Sequence, residues 1–307
     1  MLQQAIEEIR RIGASGKQPE SWGEFIFGFI VLMLLLGVIL TFLERWFPEQ
    51  MSQPSVLRRP GAKVDYAYWW INHLLDKVAA IGMLFIALAI LLLRIPRFES
   101  VLSLQPVPLQ ALEAFVIGDL IGYWTHRSMH EIPWLWRFHS VHHSSTNLDW
   151  LAGGRVHPVE TVVTKLIPFA AIFCLGFSPA IGIVFGPVVA LHAIFLHANV
   201  RWDFGALRWI VSSPAFHRWH HAAEADAINK NYAGLFPFYD RWFGTAYFPE
   251  ARRPVLFGLL AERDEFPDGL WKQIRYPWRR CGTLIKAQAT AKKPMSDVQP
   301  PYPSNQA

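Results

Sequence analysis

The chain has 307 residues, 52% of them hydrophobic and 17% charged, against about a quarter charged in ordinary soluble domains. Its net charge of +5 is spread over the N-terminal segment, the loop after the first apolar run and the C-terminal third; with no dense basic block, this excludes nucleic acid as a partner and suits anionic lipid head groups. Two cysteines, Cys174 and Cys281, make neither a disulfide framework nor a CxxC metal site.

Residues 1–24 read as a polar segment with a helix-compatible stretch from Gln3 to Arg11. Phe25 to Leu43 then runs without a charge, long enough to cross a hydrocarbon core of about 30 Å and too long for a signal-peptide core, so it predicts a retained transmembrane helix. Val78 to Leu93 predicts a second span. Tyr66, Tyr68, Trp69 and Trp70 precede it as an interfacial aromatic belt, in which His73 is only interfacial, and Arg94, Pro96 and Arg97 close it. A third span is expected from about Leu109 to Trp124, with Asp119 near its far end. Leu166 to Leu196 is apolar again, but Pro168, Gly176, Pro179, Gly182 and Pro187 divide it into two unequal pieces. The first, of about a dozen residues, would reach only about 18 Å as a helix, so a membrane hairpin that leaves and returns on one side is expected.

The fold class expected is therefore all-α, a polytopic membrane helical bundle with a helical cap that carries the histidines. Its divisions are 1–24, the first two spans and their loops at 25–108, a histidine-bearing domain at 109–250 with the hairpin at 166–196, an amphipathic extension at 251–287 and a disordered tail at 288–307. Arg45, Arg58, Arg59, Lys63 and Lys77 lie in the first loop, whereas the next has Arg94 and Arg97. The positive-inside rule then makes the first loop cytoplasmic, and the histidine groups emerge on the same face, although Arg10, Arg11 and Lys17 at the N-terminus pull the other way.

Eight of the twelve histidines fall in three groups. They are an HxxxH at His126 and His130, an HxxHH at His139, His142 and His143, and a second HxxHH at His217, His220 and His221. Positions i, i+3 and i+4 share a helix face, so each group aims two or three imidazoles at one point. Eight converging imidazoles exceed the four ligands of one structural zinc, and no carboxylate or cysteine recurs with them, which points to two metals held mainly by nitrogen. Burying so many imidazoles without a partner would carry an uncompensated desolvation cost. Ligand type alone leaves iron, zinc and copper open.

These boxes, with Asn231-Tyr232 and the run from Asp240 to Gly244 and Thr245 behind the last of them, resemble the fatty acid hydroxylase and sterol desaturase superfamily over roughly residues 110–250. The second box followed by Arg155, His157, Pro158 and Glu160 is most similar to bacterial sterol-desaturase-like proteins and alkylglycerol monooxygenase. The resemblance implies a nonheme diiron centre at the cytosolic membrane face, with zinc an occupant after purification. It also implies O2 and two electrons from a separate donor, of cytochrome b5 or ferredoxin type or a reduced pterin, and hydroxylation or desaturation of a lipid or sterol. Such an enzyme would sit in a bacterial inner membrane, or in the endoplasmic reticulum of a eukaryote.

Related enzymes place a further histidine where His197 lies, which makes it the ninth expected ligand. His157 and Glu160 are expected beside the ligands or as ligands, and His192 in the core or substrate pocket. Asp119 lies two turns before His126 on the same helix side, placed to bond a ligand imidazole. Asn231 and Tyr232 are expected to orient the last box, and Trp134, Trp136 and Trp219 to pack. No GxGxxG or CxxCH occurs, which leaves the electrons to an outside source. The competing readings are a zinc hydrolase of membrane lipids, with Glu131 or Glu160 as base, and a metal transporter, which would place its ligands inside the spans rather than beside them.

Overall fold

A computed structural model describes residues 35–51, 53–92, 102, 104–177, 179–250, 252–259 and 266–279. The described regular elements are helical: α1 over 35–46, α2 at Ala62–Leu92, α3 at Val107–Glu131, α4 at Pro133–His143, α5 at Pro158–Cys174, α6 at Pro179–His197, α7 at Pro214–His220, α8 at Phe238–Trp242 and α9 over 270–279. Short 3-10 turns at Ala152–Gly154, Gly205–Leu207 and Ala225–Ala227 punctuate the connections. Most of the expected span at 25–43, and the tail at 288–307, lie outside the described residues.

Prolines set most helix starts, because their fixed φ suits a first turn whose N–H groups have no helical partner. Pro133, Pro158 and Pro214 each stand at the head of α4, α5 and α7. Ile132 is at once the last cap of α3 and the first cap of α4, at φ −94° and ψ 114°. A residue before proline is driven out of the helical region, so one extended residue breaks what would otherwise be a continuous helix. The joint folds α4 back toward the end of α3. Ser213 caps α7 by accepting the Phe216 N–H at 3.2 Å.

The apolar stretch at 166–196 falls within two helices. Pro168 lies inside α5 and Pro187 inside α6 without ending either helix. The turn falls just after Cys174, where Gly176 takes a φ of +79° that only glycine adopts at no cost. Because α5 begins at Pro158, ahead of the apolar stretch, the two helices are 17 and 19 residues long. Both pack on α3, and α2 packs along α5. Ala114 of α3, Ile172 of α5 and Phe177 and Ile181 at the turn form one buried cluster. A Cβ on Gly118 would meet the Phe185 ring at 2.5 Å and Ile172 at 3.2 Å. We therefore expect Gly118→Ala to cost about 1 kcal/mol as an overpacking substitution, read as a lower thermal midpoint with metal content unchanged.

Among the described residues no helix is long and apolar enough to cross a membrane. In α3 the reason is visible, since Gln110 and Glu113 join Asp119 within the expected third span. Arg59, one of the loop cations used to orient the chain, is buried at 3% exposure rather than displayed at a membrane face.

Candidate metal centre

The end of α3, the end of α4, the end of α6 and the whole of α7 converge. His126, His130, His139, His143 and His220 form one group and His142, His197, His217 and His221 a second, the ligating atoms within each lying within 4.8 Å of one another. Each adjacent pair is divided: His142 and His143 go to different groups, as do His220 and His221. On a helix neighbouring residues point about 100° apart, so one box serves two positions.

The outer nitrogens fix how each ring faces. His126 Nδ1 donates to Tyr232 O at 2.7 Å, His220 Nδ1 to Lys230 O at 2.8 Å, His142 Nδ1 to Arg155 O at 3.1 Å and His197 Nδ1 to Ala193 O at 2.6 Å. His139 Nδ1 meets Glu160 Oε1 at 2.6 Å. A carbonyl can only accept, so the proton of each of those imidazoles sits on Nδ1 and its Nε2 presents a bare lone pair.

Those bare nitrogens face one another. His142 and His197 bring Nε2 atoms to 3.0 Å, and His126 and His139 to 3.1 Å. In the second group His197 Nε2 also lies 3.1 Å from His221 and 3.2 Å from His217. Two lone pairs at that separation repel unless a cation lies between them, and a neutral imidazole has no second proton to supply. Burial pushes the pKa of His197 down to about 4 and those of His130, His139, His142, His143, His217, His220 and His221 well below the ordinary value, so protonation is opposed. His130 Nε2 is buried with no hydrogen-bond partner. The donor set therefore fits two metal ions, one per group.

Glu160 sits in the first turn of α5, where burial pushes its carboxyl up to about 8. Of the carboxylates named from sequence it is the one that touches a histidine of the cluster. His157 does not join either group. Its Nδ1 caps α5 by accepting the Val159 N–H, and its Nε2 bonds Ile274 O at 3.0 Å. His192 also stands apart, its ring beside Phe195.

Asp119 reaches no histidine. Its carboxylate accepts the N–H groups of Leu235 and Phe236, both at 2.8 Å. Asp240, which sequence reading quoted only as part of the trailing motif, accepts from Tyr232 N at 2.8 Å, Ala233 N at 2.9 Å and Thr245 Oγ1 at 2.6 Å. Together they hold the loop that delivers the Tyr232 carbonyl to His126, so Tyr232 orients the first box rather than the last. Asn231, at φ +58°, ties the loop to α7 by donating to Phe216 O and Tyr247 O. The last box is oriented by a backbone carbonyl, that of Lys230.

Residues 111–245 match the family model described as fatty acid hydroxylase. The chain is 30% identical over 189 residues to the ornithine lipid hydroxylase OlsE of Rhizobium tropici, covering 62% of this chain and 55% of that protein. It is 33% identical over 146 residues to human alkylglycerol monooxygenase, covering 48% of this chain and 32% of the relative, and 32% identical over 145 residues to the Xenopus tropicalis protein of that name, covering 47% and 32%. The chain thus spans about half the length of the first relative and a third of the other two. No solved structure matches. Residues 111–245, which hold every histidine of the two groups, are thus the part of the chain that matches the fatty acid hydroxylase family.

Proposed function

We propose that this chain oxidises an unactivated C–H bond of a lipid or sterol, using O2 and a pair of iron ions held by its nine clustered histidines. The observation that carries the reading is the opposed set of bare Nε2 atoms in two groups, which a hydrolytic site with three protein ligands and a water on each zinc does not need. The family match and the lipids named in the descriptions of two relatives, an ornithine lipid and an alkylglycerol, support the substrate class. His126, His130, His139, His143 and His220 would hold one ion and His142, His197, His217 and His221 the other. With iron bound, the pair would supply the O2-activating redox chemistry that no side chain here can perform. With a metal bound, Glu160 would accept a hydrogen bond from His139 Nδ1–H through Oε1 and leave its Nε2 free, as the carbonyls of Tyr232, Lys230, Arg155 and Ala193 do for four other rings. Electrons come from an external donor.

A membrane setting is supported by outward-facing apolar stripes at helical spacing. Leu74, Val78, Ile81 and Phe85 on α2 are all more than half exposed, as are Leu35, Val38, Ile39 and Phe42 on α1. Such faces need an apolar cover. Glu160 near the start of α5 and His197 at the end of α6 both reach the cluster, which supports a hairpin that leaves the site and returns to it. An apolar groove of about 330 Å³ between α3, α4 and α5, lined by Trp124, Met129, Leu135, Val163 and Ile167, offers a further apolar surface for a lipid chain.

The test runs membranes containing the full chain with a reductase system or reduced pterin under 18O2 in ordinary water, with lipids surveyed by mass spectrometry. A hydroxylated lipid carrying one 18O atom, or an alkene formed only when O2 is present, is the expected result. Product formed equally well without O2, its new oxygen drawn from water, would replace this reading with zinc-dependent hydrolysis.

A further inference from the structure

The two histidine groups are braced from different parts of the chain. The first leans on Tyr232 O, Lys230 O and Glu160, all within the stretch shared with the family. The second leans on the loop from Leu148 to Arg155, and much of what pins that loop lies outside the shared stretch, between residues 44 and 72.

Four buried charges make the connection. The Arg155 carbonyl orients His142, and the Arg155 side chain donates through Nε to Asp65 and through Nη1 to Ser144 Oγ at 3.1 Å. The other oxygen of Asp65 pairs with Arg59 Nη2 at 2.6 Å. Arg59 closes the chain on Asp149, with Nε on one carboxylate oxygen and Nη2 on the other at 2.7 Å. Asp149 Oδ1 accepts the Ala152 N–H at 2.9 Å and so fixes the 3-10 turn. On that turn a Cβ at Gly153 would stand 2.9 Å from the His197 ring, which shows how closely the backbone bears on a second histidine of the group. Gly61, at φ +81°, leaves the space through which the Arg155 guanidinium passes, since a Cβ there would come within 2.6 Å of Nη2. Glu44 adds a parallel brace, one oxygen accepting both the Trp150 N–H at 2.8 Å and the Asn199 N–H at 2.9 Å, two residues after His197.

Asp65 and Asp149 balance Arg59 and Arg155, and all four are at least 94% buried. A planar guanidinium fork holds two carboxylates in one geometry, which a point charge does not. The arrangement fixes two of the four rings of one group and touches none of the first. We infer that Arg59, Asp65 and Glu44 are positioning residues that set the metal affinity of the four-histidine site and leave the five-histidine site alone. The inference rests on the two-metal reading above.

The experiment titrates the full chain, purified in detergent and stripped of metal, with Co2+, whose visible absorption follows binding in each histidine site. The wild-type chain should take two equivalents. Arg59→Lys keeps every charge in place but loses the fork, and Asp65→Asn removes one charge. Each should weaken one equivalent by about 10- to 100-fold, the scale for groups that orient a metal ligand, while the other is unchanged. Combining either substitution with His142→Ala should add nothing to the loss. Arg59→Lys keeps the test open should Asp65→Asn not fold. Equal weakening of both equivalents, or no change in Arg59→Lys, would overturn the inference and leave the two-metal reading standing. Fewer than two equivalents in the wild-type chain would overturn both.

Discussion

Replacing His142 or His143 by alanine should each silence lipid oxidation, by about a thousandfold or more for a residue that acts as part of a unit, while emptying different metal positions. The two residues are neighbours at the end of α4, equally buried and indistinguishable by type. Their Nε2 atoms nevertheless point to different groups: His142 lies 3.0 Å from His197, and His143 lies 3.1 Å from His220 and from His139. Removing one ring takes one donor from one site and leaves the other site's donors in place. Elemental analysis should therefore find close to one equivalent retained in each variant, and His142→Ala with His143→Ala should be no less active than either alone. The retained ion should respond oppositely to second substitutions: in His142→Ala it should be lost on adding His220→Ala, and in His143→Ala on adding His221→Ala. Two equivalents retained in either single variant, or both lost together, would remove the division into two sites.

Much of the site was legible because metal binding leaves its mark on side-chain type and spacing. The three boxes and His197 are the residues the fold brings together, and the i, i+3, i+4 spacing gives the physical reason. The assignment of each ring to its group was less accessible, because it depends on the Ile132 joint that folds α4 onto the end of α3. Sequence signals that joint only through Pro133. Least visible were the groups that turn the rings. Tyr232, Lys230, Arg155 and Ala193 act through backbone carbonyls, which every residue has, so no side chain advertises the role. Arg59 read as a loop cation because isolated basic residues usually are, and only the fold shows Asp65 and Asp149 closing around it. Asp119 was expected to bond a ligand imidazole, but the donors it satisfies are the N–H groups of a loop more than a hundred residues away. Of the five residues expected to divide 166–196, Pro168 and Pro187 are accommodated within helices and the break falls at Gly176.

Asp240→Asn should act on the opposite metal from Asp65→Asn. Asp240 is fully buried, and its two oxygens receive three donors: the N–H groups of Tyr232 and Ala233 and the hydroxyl of Thr245, which in turn meets the Tyr123 hydroxyl at 2.9 Å. An amide keeps one acceptor oxygen and puts an NH2 where the other stood. If the oxygen continues to serve Tyr232 and Thr245, the NH2 faces the Ala233 N–H, donor against donor, in a place water does not reach. The loss should be about 1 to 3 kcal/mol for the stranded group, and alanine, which strands all three donors, should cost more. That strain falls on the segment presenting the Tyr232 carbonyl to His126 and, two residues earlier, the Lys230 carbonyl to His220. Both rings belong to the five-histidine group, and neither carbonyl bears on the four-histidine group. Co2+ titration of Asp240→Asn should thus show the first site weakened by about 10- to 100-fold with the second retained, the mirror of the Asp65 result. A thermal melt on the metal-free protein separates the two effects, since a purely global destabilisation lowers both affinities in proportion. If Asp240→Asn and Asp65→Asn weaken the same equivalent, the two sites are not braced separately, and the partition of the nine histidines by their outer partners fails.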